Sequence, residues 1–166
     1  PLGDEVTLKV NTNAQGNVSY LWTPNDYLDC DTCVNVTLLP LFNGPLSVLV
    51  TDEDGGTATA SVDLYVLKNR KVYIPNVFSP NDDGFNDRFT IYGSQEVDRI
   101  ENLEIYDRWG EQIFVLKEFA PNDESVGWDG TFKGKTMNNA AFVYMVKIRF
   151  IDGEERVYKG DILLLR

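Results

Sequence analysis

The sequence contains no histidine. That removes the commonest general base, the usual serine and cysteine triads, and most zinc sites. No apolar run approaches the ~20 residues needed to cross a bilayer as a helix. Positive charge is scarce: 15 Lys and Arg stand against 26 Asp and Glu, for a net charge of -11. A phosphate-binding face is therefore not expected, and nucleic acid is excluded as a partner. Only two cysteines occur, as Cys30-Asp-Thr-Cys33. A zinc site needs about four ligands, and a redox CxxC expects an α/β context that is missing here. The favoured reading is a short-loop disulfide in an exported protein, with two free thiols as the alternative. The start shows no signal peptide. Pro1-Leu2-Gly3 reads as an expression remnant, and the chain is expected to be a monomeric C-terminal piece of a longer protein.

What the sequence does have is apolar mass, 43% of residues, in short alternating runs. Residues 57–66 (TATASVDLYV) place Ala58, Ala60, Val62, Leu64 and Val66 on one face. Residues 46–50 form the preceding strand, and residues 52–56 (DEDGG) supply the turn of a hairpin. Val6, Leu8 and Val10 alternate near the start, and residues 19–22 and 34–39 add further short strands. A break follows at residues 68–71 (KNRK), which also read as an exposed place for proteolytic clipping. The domain boundary is set here, giving domains 1–71 and 72–166; a solvated loop within one domain is the competing reading.

The second half is also β. Residues 103–106 and 112–116 flank a DRWG turn. Residues 142–150 alternate, with Tyr144, Val146, Ile148 and Phe150 on one face and Lys147 and Arg149 on the other. Asp152-Gly153 is a hairpin signal, and a last strand covers residues 156–165. Residues 97–102 read as a single helical turn. The fold class expected is all-β: two consecutive Ig-like antiparallel β-sandwich domains.

Five pieces recur in order through the second half: IPNVFSPNDDGFND, LEIYDRWGEQIF, GWDGTFKGK, AFVYMVKIRF and YKGDILLLR. This series resembles the gliding-motility-associated C-terminal domain of Bacteroidetes, the type B C-terminal domain of type IX secretion cargo. The first half resembles a PKD or Ig-like module, on Tyr20-Leu-Trp-Thr-Pro24, the cysteine pair and the strand before Thr51. The resemblance implies a folded address for export across the outer membrane to the cell surface or beyond. It also implies a PorP/SprF-like outer-membrane partner and an upstream adhesin or secreted enzyme as passenger.

The candidate recognition residues are Arg108, Trp109, Trp128, Asp129, Lys159 and Arg166. Trp and Arg are enriched at binding hot spots. Residues 162–165 read as a last strand, either buried on both faces or offering an edge that a translocon partner extends by strand addition, with the Arg166 cation and the chain end exposed. The plain alternative for Trp109 is a lid over the sandwich end, with Arg108 paired locally; for Trp128 it is core or rim, with Asp129 in an Asx-turn. In SPNDDGFND, Asn81, Asp83 and Asp87 are calcium candidates. The loop departs from the EF pattern because the twelfth position is Thr90 rather than Glu, so the competing reading is a self-capped turn. No other cofactor and no small-molecule substrate are expected. The carboxylate pairs Asp82/Asp83 and Glu154/Glu155 lie on turns, and no nucleophile, base and pocket assemble into an enzyme site. The sequons at Asn17 and Asn35 are taken as accidental. The alternative function is an adhesive or ligand-binding Ig-like module in a calcium-stabilised surface stalk.

Overall fold

A computed structural model describes all 166 residues. It is all-β and divides into two compact units, Pro1–Asn69 and Arg70–Arg166.

The first unit holds β1 (Val6–Lys9), β2 (Ser19–Thr23), β3 (Asn35–Leu38), β4 (Gly44–Thr51) and β5 (Thr57–Leu64). One sheet has the order β1-β3 and the other β2-β4-β5, all antiparallel. The inward residues Trp22, Val36, Leu38, Leu46, Val48 and Val50 form the core. The Trp22 indole N–H donates to the Cys33 carbonyl at 2.9 Å, and its amide donates to the Asp31 carbonyl at 2.8 Å. The loop closed by the Cys30–Cys33 disulfide is thereby pinned to the core tryptophan. The β4–β5 turn is capped by Asp52, whose Oδ1 accepts the Gly56 amide at 2.6 Å. Alternation in β5 does not translate into burial: Ala58, Ala60 and Val62 are exposed. β5 is an edge strand, and its inner face borders an open groove beside Leu8, Val10 and Trp22.

The second unit contains β6 (Val72–Tyr73), β7 (Val77–Phe78), β8 (Tyr92–Gly93), β9 (Val97–Tyr106), β10 (Gln112–Phe119), β11 (Thr131–Phe132), β12 (Lys135–Thr136), β13 (Ala140–Phe150) and β14 (Glu155–Leu164). The main sheet has the order β10-β9-β13-β14-β7. Its last pairing, β14 with β7, is parallel, with Leu163 opposite Val77. Two-stranded pieces, β6-β8 and β11-β12, and a bridge between Phe89 and Trp128 complete the unit. The core joins Ile100, Leu103, Ile105, Val146, Ile148, Phe150, Ile162 and Leu164 of the main sheet to Phe78, Phe89, Ile91 and Trp128.

The expected helical turn at residues 97–102 is instead the first half of β9. Its apolar residues Val97, Ile100 and Leu103 are spaced by three because β9 is bulged twice against β13. Asn102 faces Lys147 while Ile100 faces Ile148, which skips Glu101; Arg99 faces Arg149 while Val97 faces Phe150, which skips Asp98. Each bulge inserts one residue and turns a period of two into three.

The basic run at residues 68–71 is not uniformly exposed either. Arg70 is 7% accessible. Its guanidinium forks onto Asp152 at 2.9 and 2.6 Å, reaches Glu154 at 2.7 Å and stacks 4.4 Å from the Phe150 ring centroid. The carboxylates of the β13–β14 hairpin, Asp152 foremost, raise the Arg70 pKa further. As a clipping site this position is withdrawn, because a protease cannot take hold of a cation locked into an ion pair.

Candidate functional site

The loop at residues 79–87 is a cage of its own polar groups. Asp87 Oδ1 accepts the amides of Asn81 and Asp82 at 2.9 and 2.7 Å, and Oδ2 accepts that of Gly84 at 2.8 Å. Asp83 accepts the Phe85 amide and the Asn81 side-chain amide. Gly84 takes a φ of 87°, which a glycine adopts without cost. Desolvation pushes the Asp87 carboxyl up, but the three amides and the neighbouring Arg88 outweigh it and hold the pKa below the usual carboxylate value. Asn81, Asp83 and Asp87 do meet in one loop, yet their oxygens point at loop amides. No cluster of three or more acidic, Cys or His ligands able to hold a metal exists in the chain. Thr90, at the twelfth position, is buried and donates to the carbonyls of Asp123 and Val126. The donor set does not fit calcium, which takes six to eight oxygen ligands. What the cage presents is Phe85, 76% exposed.

Trp128 is 0% exposed. Its ring stands edge-on to Phe142 at 4.8 Å and tilted to Phe78 at 5.2 Å, and its indole N–H donates to the Thr131 carbonyl at 2.8 Å. As a direct contact residue it is therefore corrected to core. Gly127 beside it has a φ of 134°, and a Cβ there would lie 2.3 Å from the Phe89 carbonyl oxygen. Asp129 caps the following turn through the Thr131 amide and hydroxyl at 3.0 and 2.7 Å. Burial raises the Asp129 pKa, and the Thr131 bonds and Arg88 lower it by more.

Arg166 is exposed, as expected, but its guanidinium is engaged rather than freely projecting. Its guanidinium donates to the carbonyls of Pro80 at 2.7 Å, Met137 at 3.2 Å and Gly130 at 3.4 Å. It braces the SPNDDGFND loop to the segment that follows GWDG.

The β9–β10 turn is the opposite case. Asp107 Oδ1 accepts the amides of Trp109 and Glu111, both at 2.9 Å, and its carbonyl accepts that of Gly110 at 3.1 Å. Asp107 and Gly110 build the turn without help from the indole, and Trp109 stays 77% exposed. It does not cover the sandwich end. Arg108 stacks over it at 4.2 Å. On the adjacent hairpin Lys133 pairs with Glu111 at 3.1 Å and lies 4.4 Å from the Phe132 ring centroid. Two cation–aromatic pairs thus stand close together, joined by the Lys133–Glu111 pair. Lys159 is elsewhere, exposed on β14 opposite Met145.

Arg108 and Trp109 are brought together, then, and so are Asp129, Gly130 and Arg166. Phe85 and Lys133 were missed by sequence reasoning. The turn read in SPNDDGFND lies next to Phe85, but nothing local distinguishes a turn aromatic that folds in from one that stays out.

The model of one protein family, CHU_C Type IX secretion signal domain, matches residues 72–164. No curated protein matches the chain. Among solved structures it is similar to dimeric latent PorU from Porphyromonas gingivalis, at 15% identity over 93% of this chain and 17% of that one, with a TM-score of 0.36. It is also similar to SGBP-B of the mixed-linkage glucan utilization locus of Bacteroides ovatus, solved with a mixed-linkage heptasaccharide. There the identity is 14% over 98% of this chain and 41% of that one, and the TM-score is 0.31. The chain spans less than half the length of either.

Proposed function

The chain belongs to the type IX secretion signal domain family, by a match over residues 72–164, and on that premise we propose that its second unit is the address carrying an attached passenger across the outer membrane. The passenger is a large cell-surface or secreted protein, of the gliding-adhesin kind. The first unit is a PKD or Ig-like spacer. The direct partner is a PorP/SprF-like outer-membrane protein, and the domain performs no chemistry of its own.

The observation that supports this reading best is convergence. Motifs scattered over the second half meet in one folded unit, where Arg166 ties the carbonyl of Pro80 to that of Gly130. The contact residues are Arg108 and Trp109, stacked on each other and exposed on a turn tied by Asp107, with Lys159 on a separate patch. Preorganised aromatic and arginine side chains bind without a large ordering cost.

The test fuses residues 72–166, and separately residues 1–71, to a fluorescent reporter in a host with an intact type IX machinery. The C-terminal fusion is expected outside the cell and the N-terminal one in the periplasm. Retention of both sinks the proposal.

A further inference from the structure

All seven arginines of the chain lie in the second unit. Six are engaged within it: Arg70 with Asp152, Arg88 with the Gly127 carbonyl, Arg99 and Arg149 with Glu101, Arg156 with Glu154 and Arg166 with the Pro80 carbonyl. Arg108 is the exception. It is exposed, it meets no carboxylate or carbonyl of the chain, and its guanidinium lies 4.2 Å over the Trp109 ring.

The carboxylates on this turn and around it are already occupied. Asp107 gives Oδ1 to the amides of Trp109 and Glu111, and Glu111 pairs with Lys133 at 3.1 Å. Glu104, further back along β9, accepts from the Tyr106 hydroxyl at 2.7 Å and the Asn102 side-chain amide at 2.9 Å. Asp129, which leads into the β11–β12 hairpin, is spent on Thr131. The two turns at residues 107–111 and 131–135 carry three cations, Arg108, Lys133 and Lys135, against the two acids Asp107 and Glu111. The sign of charge here is thus the reverse of that of the whole chain, whose net charge is -11.

A guanidinium resting on an aromatic face keeps its in-plane N–H fork free, and that fork matches a carboxylate with two parallel bonds. We propose that the Trp109 pole recognises an acidic segment of the outer-membrane partner. A carboxylate of that segment forks onto Arg108, an apolar side chain beside it covers the exposed Trp109 ring, and a second acid faces Lys133 and Lys135. The indole shields the ion pair from water, and the opposed charges steer the encounter and turn away segments of the wrong sign. An anionic lipid face is the weaker fit. It repels a chain of net charge -11, and three cations fall short of the roughly four to eight that a membrane-binding patch gathers. The proposal rests on the sorting function above and names the chemistry that its contact residues read.

The experiment uses the full chain of 166 residues fused to the reporter. Arg108→Glu is expected to lower extracellular reporter roughly tenfold, and Arg108→Lys, which keeps the charge and loses the fork, roughly threefold. Arg108 makes no hydrogen bond or ion pair within the chain, so both variants should melt like the parent. Lys117→Glu, the same reversal of charge on an exposed cation of β10, is the control and exports normally. In the exporting cell, a photo-crosslinking phenylalanine analogue in place of Trp109 is expected to form an adduct with an outer-membrane protein, at a segment rich in aspartate or glutamate. Phosphatidylglycerol vesicles test the lipid alternative, and no co-sedimentation of the chain is expected. Parental export by Arg108→Glu or by Arg108→Lys overturns the proposal and leaves the sorting function standing. An adduct at a segment without acids overturns it too, as does vesicle binding that Arg108→Glu abolishes. A parent fusion that stays in the periplasm overturns the sorting function itself, and this assignment falls with it.

Discussion

The guanidinium of Arg166 donates to the carbonyl oxygen of Pro80 at 2.7 Å, across a sequence separation of 86 residues. Together with its bonds to Met137 and Gly130 it closes three loops with one side chain. Backbone carbonyls that accept from a cation lose an unusually good donor when it is removed.

Arg166→Ala is therefore expected to act on stability although the residue is exposed. Loss of charge-assisted bonds that are partly open to water is expected to cost about 1–2 kcal/mol. For a domain of this size that lowers the melting temperature by roughly 5–15 °C, read by thermal unfolding of the second unit. An unchanged melting curve would show the brace to be idle.

Trp109 and Arg108 behave the other way. Asp107 and Gly110 hold the turn, so Trp109→Ala and Arg108→Ala are expected to leave stability within about 0.5 kcal/mol of the parent. Reporter export and binding to the outer-membrane partner should both weaken, more for the tryptophan. If both variants fold, bind and export like the parent, the pole is not a contact surface.

The Arg70–Asp152 pair has side chains 3% and 2% accessible. Arg70→Met removes the forked, buried partner of Asp152, and breaking such a pair costs about 3–5 kcal/mol. The double variant Arg70→Met with Asp152→Asn should recover part of that loss. Chemical denaturation of the two variants side by side measures the difference.

Stability should be flat near neutrality and fall on either side. The carboxyls of Asp87, Asp129, Glu154 and Glu155 all have pKa values lowered by folding. For Glu154 the cause is chiefly its bond to Arg156, and for Glu155 its bond to Lys147. A lowered carboxylate pKa gives stability that is fully present above the unfolded value of about 4 and is lost as pH falls through the folded value. Tyr92 and Tyr144 are raised mainly by burial, and Tyr106 by its bond to Glu104. Their contribution is present below about pH 10 and is lost as pH rises through the folded values. Melting temperature against pH checks both limbs, and Asp87→Asn should flatten part of the acid one.

Calcium should not matter. The oxygens of Asp83 and Asp87 are already engaged with loop donors, so melting in millimolar calcium and in excess chelator is expected to coincide. A calcium-dependent rise would mean that the loop rearranges to release them.

Much of this architecture was legible in the sequence, because hairpins are local. Asp152-Gly153 and the Asp52 turn formed where their residues demanded, and the alternation of residues 142–150 gave the buried face of β13. The misreadings share a different origin. The bulges of β9 are set by its register with β13, which no window of β9 contains. The exposure of Ala58 and Ala60 follows from the position of β5 at a sheet edge. Arg70 looked like linker because its acids lie more than eighty residues away. Trp109 and Trp128 both sit beside a glycine and an aspartate in a turn, and only the Phe78 and Phe142 rings around the second decide which is core.

The pairing of Leu163 with Val77 has a consequence in time. Ladders between strands distant in sequence form late, because a long loop must close before any bond rewards it. A chain that emerges amino end first shows Val77 long before Leu163 exists beside it. Until then the edge of β7 has nothing behind it, and the Arg166 brace is absent. If the folded unit is what is recognised, the address is a clock as well as a label, because it takes shape only once its last strand has been delivered.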